Sequence, residues 1–209
     1  MPNDLFFIVF GFLIFIFSAV IHEYAHGAAA EALGDSTPRA MGRMTMNPLV
    51  HLEVFGSFLL PILLFISGAS FIIGWAKPVV FNPNNLRDKK FGVARVAAAG
   101  PLANISMAVL MALILRFVPI PNERFVTLLA IVVYYNLLLA IFNLIPIPPL
   151  DGSKFLFDVL PAKYNNVKVF LSQQGPWLLL ILLIADSFLG LGIFGRIIGF
   201  FVNLIYSLV

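Results

Sequence analysis

The stretch LFFIVFGFLIFIFSAVIHEYAHGAAAEAL, residues 5–33, joins a long apolar run to a cluster of ionisable side chains. A helix that spans a membrane needs about 20 mostly apolar residues, so we predict a membrane helix over Asp4–Leu33. Gly34 is a favourable residue for ending it. Asp4 is the only charge before the apolar run, so the basic start of a cleaved signal peptide is missing and we expect the helix to be retained.

The composition predicts that the whole chain is an all-α polytopic membrane protein. Of its 209 residues, 61% are hydrophobic and 11% are charged, with a mean hydropathy of +1.00. An ordinary soluble domain has about 25% charged residues, and so few charges could not cover a soluble surface. No tract of alternating basic and aromatic residues indicates a nucleic-acid partner. The chain has no cysteine, which excludes disulfides and thiolate metal ligands.

Five apolar stretches predict a bundle of about five to six transmembrane or re-entrant segments with a small extended hairpin near residues 72–81. They are Asp4–Leu33, Val54–Ala76, Gly92–Val118, Phe125–Ile145 and Trp177–Val209. The last is long enough for one bent helix or for two helices that turn near Gly190–Gly195. We expect a single integral-membrane domain over residues 1–209, with a catalytic core at about 4–160 and C-terminal membrane helices at 175–209.

Lysine and arginine counts indicate how the second stretch meets the membrane. If Val54–Ala76 spans it, the 13 basic residues divide five against eight between the two sides. If the stretch enters and returns, they divide ten against three. An excess of basic residues in short loops marks the cytoplasmic side, so the sequence favours the re-entrant arrangement. The N-terminus then lies outside, and the first and fourth stretches both end near the cytosol.

Residues 22–26, HEYAH, match H-E-x-x-H, a pattern of zinc peptidases. His22 and His26 lie one helical turn apart, so both imidazoles can reach one cation, while Glu23 lies about 100° around the helix and can reach a water on it. The alternative is a structural cluster in which Glu23 pairs with a histidine. Ionisable groups inside a membrane cost roughly 3 kcal/mol each unless compensated, so we predict zinc.

Catalytic zinc normally has three protein ligands and one open position. Asp151 lies in NLIPIPPLDG, residues 143–152, where three prolines must end the fourth helix. The topology brings Asp151 to the membrane face of the H-E-x-x-H motif, although a surface turn is the alternative. For Asp158 we expect solvation, and for Asp186 a place in the bundle or in a turn. The candidates for the third ligand are Asp151, His51, Glu53, Asp158 and Asp186.

Three blocks together resemble the site-2 protease family of intramembrane zinc metalloproteases. They are HEYAH, AAAGPLAN at Ala97–Asn104, and NLIPIPPLDG, and they extend over residues 22–152. The segments MTMNPLVHLEVFGSFLLP and GWAKPVVFNP are similar to the compact prokaryotic branch, which has no PDZ domain. That branch more often has aspartate where this chain has Glu53.

The resemblance implies a role for each matching residue. It implies His22, His26 and Asp151 as ligands of one Zn²⁺ per chain and Glu23 as catalytic base. Asn143 matches a family asparagine placed at the active site. His51 is a rival ligand because imidazole also suits zinc. We favour Asp151 and expect His51 to donate or accept a hydrogen bond beside the site, or else to be a loop histidine at the membrane interface. Asn104 is expected to be a buried hydrogen-bond partner.

The sequence therefore predicts an intramembrane zinc metalloendopeptidase that cleaves transmembrane or membrane-proximal segments with zinc-activated water and Glu23 as general base. The alternatives are a zinc-binding membrane protein without protease activity, which would need a fourth ligand such as His51, and a transporter. The expected partners are transmembrane protein substrates and membrane lipid, with no nucleic acid, and the oligomeric state stays open. We expect a prokaryotic plasma membrane, with the active site toward the cytosol.

Overall fold

The structure, a computed structural model, describes residues 4–53 and 77–208, with Leu59 and Ile66 alone between those ranges. The predicted second stretch, Val54–Ala76, lies outside the described residues apart from those two. The described residues form helices and turns without a strand. The helices are α1 (Leu5–Ala32), α2 (Thr37–Ala40), α3 (Pro48–His51), α4 (Gly92–Phe117), α5 (Glu123–Asn143), α6 (Asp151–Val159), α7 (Asn165–Phe188) and α8 (Ile193–Leu208).

Helix α1 begins and ends where the sequence predicts. The Asp4 side chain accepts a hydrogen bond from the Phe6 N–H at 3.1 Å and caps the first turn. Gly34 has a φ of 104°, the left-handed conformation that ends many helices. With 28 residues, α1 is about 42 Å long, which exceeds the hydrocarbon thickness of about 30 Å. Helix α1 is therefore more than long enough to cross the apolar layer.

The described helices confirm the prediction of an all-α polytopic membrane protein. Four segments are long and apolar enough to span a membrane, namely α1, α4, α5 and Ala162–Asp186, and Gly195–Ile205 in α8 is a shorter apolar segment. The C-terminal stretch forms two helices, with Gly190 and Gly192 at positive φ in the turn between them. Helix α7 begins at Asn165, whereas the sequence predicted a start at Trp177. Hydropathy missed the start because the first turns of the helix are polar.

Helix α4 lies at the centre of the bundle and packs against α1, α5 and α6. Small residues are buried along it, which allows the neighbouring backbones to approach closely; they include Ala94, Ala97, Gly100, Ala108 and Ala112. Val133 and Leu137 of α5 pack with the last two of these alanines in a buried apolar cluster. These contacts bring the C-terminal half of α1 and the start of α6 to the same part of α4.

The predicted hairpin falls partly on undescribed residues, and its described part, Lys77–Phe81, has no regular secondary structure. The Lys77 N–H donates to the His51 carbonyl at 2.7 Å, at the end of α3. At the other end, the Asn82 N–H donates to Asp35 Oδ2 at 2.6 Å, just beyond α1. The segment from Lys77 to Asn82 is therefore attached at both ends beside the C-terminal half of α1.

Candidate active site

Three side chains from two helices meet at a buried point beside α4. His22 and His26 lie one turn apart on α1, with ring centroids separated by 4.6 Å. Asp151, the first residue of α6, places its Oδ2 atom 2.9 Å from Nε2 of each ring. The three residues are 4%, 6% and 5% exposed, so the cluster is shielded from bulk solvent.

The chain between α5 and α6 determines the position of Asp151. Pro146, Pro148 and Pro149 cannot continue α5, and the irregular segment returns toward the bundle before α6 begins. A Cβ atom on Gly152 would lie 2.2 Å from the Leu144 carbonyl oxygen. Only glycine permits this close approach, which explains why the carboxylate is followed by Gly152.

Each histidine is held through the ring nitrogen that faces away from Asp151. His22 Nδ1 lies 2.6 Å from Asn104 Oδ1, and His26 Nδ1 lies 2.7 Å from the Val96 carbonyl oxygen. Both neighbours are hydrogen-bond acceptors, so both Nδ1 atoms carry the hydrogen and donate it. In a neutral ring the other nitrogen, Nε2, then presents a lone pair. The two rings therefore present lone pairs toward the same point.

The three side chains can hold a cation where they meet. Two nitrogen lone pairs and a carboxylate oxygen repel one another unless a positive charge lies among them. The ligand atoms of His22, His26 and Asp151 all lie within 4.8 Å of one another, and three donors around tetrahedral zinc lie roughly 3.3 Å apart. Two imidazoles and one carboxylate are also a known ligand set of catalytic zinc. The residues present therefore fit a zinc ion.

Gly100 of α4 forms the wall opposite the histidines. A Cβ atom at this position would lie 2.5 Å from His26 Nε2 and 2.6 Å from His22 Nε2. Any larger residue would therefore occupy the space in front of both metal-facing nitrogens. The glycine in AAAGPLAN keeps that space open.

Lys154 contacts the second oxygen of Asp151. Its Nζ atom lies 2.9 Å from Oδ1, while Oδ2 faces the histidines. Burial by itself would raise the pKa of the Asp151 carboxyl, and the positive charge of Lys154 acts in the opposite direction and lowers that pKa. Asp151 is therefore ionised and supplies negative charge to the site.

Glu23 lies beside the cluster without belonging to it. The Val79 N–H donates to Glu23 Oε2 at 2.7 Å. Val79 itself is 8% exposed and lies in the segment that runs along α1. The carboxylate is thus held through Oε2.

Comparison with known proteins places this chain in a family. Residues 118–183 match the model of peptidase family M50. A putative zinc metalloprotease of Bacillus subtilis, YwhC, is 32% identical over 158 residues, which cover 70% of this chain and 67% of that protein. The chain belongs to peptidase family M50. This is the site-2 protease family, so the resemblance inferred from the three sequence blocks is confirmed and the chain is a membrane metalloprotease.

Two further relatives of this M50 protease have similar names. The putative zinc metalloprotease Rip2 of Mycolicibacterium smegmatis is 28% identical over 82% of this chain. A zinc metalloprotease of Methanocaldococcus jannaschii is 28% identical over 80% of it. The chain spans 65% and 39% of the lengths of these two proteins. No solved structure matches.

Among the described residues of the M50 protease, the other candidate ligands lie outside the cluster of His22, His26 and Asp151. His51 is 1% exposed and its Nε2 lies 2.9 Å from the Thr45 carbonyl oxygen, to which it donates. Asp186 accepts the Ile193 N–H at 2.7 Å in the turn before α8, which is the second of its two predicted places. The expectation of simple solvation for Asp158 was wrong. Its Oδ2 accepts the Ala94 N–H at 2.8 Å in the first turn of α4, a helix end 64 positions away in the sequence.

Of the two predicted asparagines, Asn104 contacts the cluster directly and Asn143 lies at the end of α5. Asn143 is the last residue of α5, and its Nδ2 donates to the Leu139 carbonyl at 3.0 Å. Asn104 is fully buried against His22, as expected.

Sequence reasoning missed three groups: Lys154, Asn136 and the Val79 N–H. A polar residue inside the apolar run of α5 was a signal for Asn136, and the i to i+3 spacing from Asp151 was one for Lys154. A backbone N–H donor gives no signal in the sequence.

Proposed function

We propose that this M50 protease is an intramembrane zinc endopeptidase that hydrolyses peptide bonds within or next to the transmembrane segments of other membrane proteins. The observation that carries the proposal is the meeting of His22, His26 and Asp151 beside Glu23, on a helix long and apolar enough to span a membrane. The family match and the names of the relatives support zinc-dependent proteolysis.

His22 Nε2, His26 Nε2 and Asp151 Oδ2 would hold one zinc ion. When bound, zinc polarises a carbonyl oxygen and lowers the pKa of a coordinated water from 15.7 to about 7. Three protein ligands are the number typical of catalytic zinc, since they leave a coordination position open. This ligand count favours turnover over a purely structural or sensing role.

Glu23 acts as the general base. The hydrogen bond from Val79 engages Oε2, so Oε1 accepts the proton of the attacking water. The same carboxyl then returns the proton to the departing amine when the peptide bond breaks. A positioned general base contributes typically about 10²–10⁴-fold to a rate.

Asn143 and His51 serve the substrate rather than the metal. The Asn143 amide has two hydrogens and uses one on the Leu139 carbonyl, so the other can orient a substrate carbonyl or stabilise the developing oxyanion. His51 Nε2 donates to Thr45, and its Nδ1 is buried without a hydrogen-bond partner among the described residues. That lone pair can accept an N–H from the substrate or a bridging water.

The substrate must present an extended segment to this site. A transmembrane helix keeps its peptide groups hydrogen-bonded and shielded, so it has to unwind locally, and we expect helix-weakening residues near the cut. The segment Lys77–Phe81 can pair with the unwound strand through its backbone. Val79 is buried and its neighbour Val80 is 48% exposed, a change of side typical of extended chain.

We assign the N-terminus to the outside of a prokaryotic plasma membrane and the site to its cytosolic side. The division of basic residues, ten against three, supports this orientation. His22 and His26 lie in the C-terminal half of α1, so water reaches the site from the cytosolic end. Membrane lipid surrounds the bundle, the partners are transmembrane protein substrates, and no nucleic acid is involved.

Cleavage of a reporter transmembrane helix by the purified protein tests this function. Glu23→Gln should lower kcat at least about 100-fold while the protein keeps about one zinc per chain. The matched control is Glu123→Gln, which removes a carboxylate from the first turn of α5 and should leave cleavage unchanged. Undiminished cleavage by Glu23→Gln would refute the proposed base. Cuts found only in soluble parts of every substrate would contradict intramembrane cleavage.

A further inference from the structure

The hydrogen bond behind His22 continues into a polar chain that crosses three helices. Asn104 of α4 and Asn136 of α5 are 0% and 1% exposed. Asn104 Nδ2 donates to the Ser18 carbonyl of α1 at 3.1 Å and to Asn136 Oδ1 at 2.9 Å. Asn136 Nδ2 donates to the Val132 carbonyl of its own helix at 2.9 Å.

The partners of these two amides fix the direction of every hydrogen bond in this polar chain. The Val132 carbonyl can only accept, so the NH₂ group of Asn136 must face it, and the oxygen of Asn136 must face Asn104. That oxygen and the Ser18 carbonyl then take both hydrogens of the Asn104 NH₂ group. Asn104 is left to present its oxygen to His22 Nδ1, which must carry the hydrogen. The backbone of α5 thereby determines which nitrogen of His22 carries the lone pair.

We propose that Asn136 is a positioning residue for the metal ligand His22 and acts through Asn104. By holding Asn104 in one amide orientation, it keeps His22 in the tautomer whose Nε2 lone pair faces Asp151. The proposal rests on the proposed function in that it takes His22 as a zinc ligand. It adds that a residue of α5, which contributes no ligand, sets the affinity for zinc.

A merely structural role would produce a different pattern of effects. Buried asparagines can stabilise helix packing in membranes by hydrogen bonding across helices. In that case replacing Asn136 would lower stability, and its effect on zinc would be independent of Asn104. If Asn136 acts through Asn104, the effects of replacing each asparagine on zinc affinity must be non-additive. Removing Asn104 already interrupts the hydrogen bonds between Asn136 and His22.

The test is a measurement of zinc affinity of the purified full-length protein, by competition with a chelator, for Asn104→Leu, Asn136→Leu and the double variant. Loss of a residue that holds a metal-binding histidine typically costs about 10–100-fold in affinity. We expect that loss for Asn104→Leu, about 10-fold for Asn136→Leu, and no further loss in the double variant. Asn136→Asp keeps the acceptor oxygen and should stay within about threefold of the unmodified protein, well short of that loss.

Thr127→Val is the matched control. It removes the hydrogen bond from Thr127 Oγ1 to the Glu123 carbonyl. Like the bond from Asn136 to Val132, this one joins a side chain of α5 to the carbonyl four residues earlier. The substitution should leave zinc affinity unchanged. If Asn136→Leu does not fold, Asn136→Ala replaces it with the same expectation. Unchanged affinity in Asn136→Leu, or losses that multiply in the double variant, would overturn the proposal. Absence of zinc binding by the unmodified protein would instead refute the proposed function, so the two failures are distinguishable.

Discussion

The backbone N–H of Val79 lies 2.7 Å from Oε2 of Glu23 and joins two parts of the chain that are 56 positions apart. The three clustered side chains share an arrangement in which one polar atom is held by the protein and another faces the point where they meet. His22 and His26 are held through Nδ1, and Asp151 through Oδ1. Groups fixed in this way need little rearrangement at the moment of reaction.

Removal of the Val79 donor should slow cleavage without loss of zinc. Val79→Pro deletes the N–H that holds Glu23, and a misplaced catalytic group costs about 10–100-fold in rate. We expect kcat to fall by that factor while the zinc content stays the same. Val79→Ala is the control, because it shortens the side chain and keeps the N–H that Glu23 accepts. Equal kcat values for Val79→Pro and the unmodified protein would show that the contact is incidental to catalysis.

Gly100→Ala should abolish zinc binding. The added methyl group would lie 2.5–2.6 Å from both Nε2 atoms, too close for an ion to fit between the histidines. Metal analysis of the purified variant should find no zinc, and the reporter helix should stay intact. Gly199→Ala, where a Cβ meets nothing within 4 Å, should retain both zinc and cleavage. A Gly100→Ala variant with a full zinc content would contradict the assigned metal position.

Lys154→Met should weaken zinc binding by about 10-fold, the lower end of the cost of losing a group that holds a ligand. The substitution keeps an unbranched side chain but removes the ammonium that contacts Asp151 Oδ1. Chelator competition measures the affinity, and Lys154→Arg should restore most of it. Lys163→Met, which removes a lysine stacked on Tyr164, serves as the control. Identical affinities for the two methionine variants would exclude a role for Lys154.

Asp35→Asn should reduce stability at neutral pH more than at acidic pH. Asp35 is 0% exposed and accepts hydrogen bonds from Thr37, Asn82 and Asn85. Burial by itself would raise its pKa, but these hydrogen bonds outweigh burial and lower the pKa below 3.8. The stabilising contribution is therefore complete above pH 3.8 and is lost as the pH falls through the lower pKa of the folded protein.

We expect Asp35→Asn to lower the free energy of unfolding by about 1–3 kcal/mol at pH 7. Unfolding curves in detergent at pH 7 and near pH 3 measure the difference, which should shrink in acid. Asp4→Asn is the control, because asparagine caps a helix as well as aspartate does. A difference that grows in acid would show that the sign is wrong.

Most of the fold could be predicted from hydropathy alone. The bounds of α1, α4 and α5 fall within two residues of the predicted stretches, because a membrane imposes a long apolar run on every spanning helix. The start of α7 was missed by twelve residues because its first turns are polar. Hydropathy identifies the part of a helix inside the apolar layer, not the part that continues beyond it.

The contacts of individual carboxylates were harder to predict. The sequence predicted that the Asp158 side chain is solvated, but it accepts the Ala94 N–H of α4. Asp186 accepts the Ile193 N–H in the turn before α8, and a turn is one of the two places that the sequence predicted for it. A local partner leaves a local signal, whereas a partner on another helix does not.

The sequence by itself determined the helical membrane architecture, the H-E-x-x-H motif and the M50 resemblance, since apolar length and i to i+4 spacing are properties of a single segment. Only the tertiary structure decided which atom of each functional group is held and which faces the site. The partners that decide it lie 82 positions from His22, 70 from His26 and 56 from Glu23. Hydrogen bonds between such remote groups form only after the helices have packed, and no periodicity in the sequence records them.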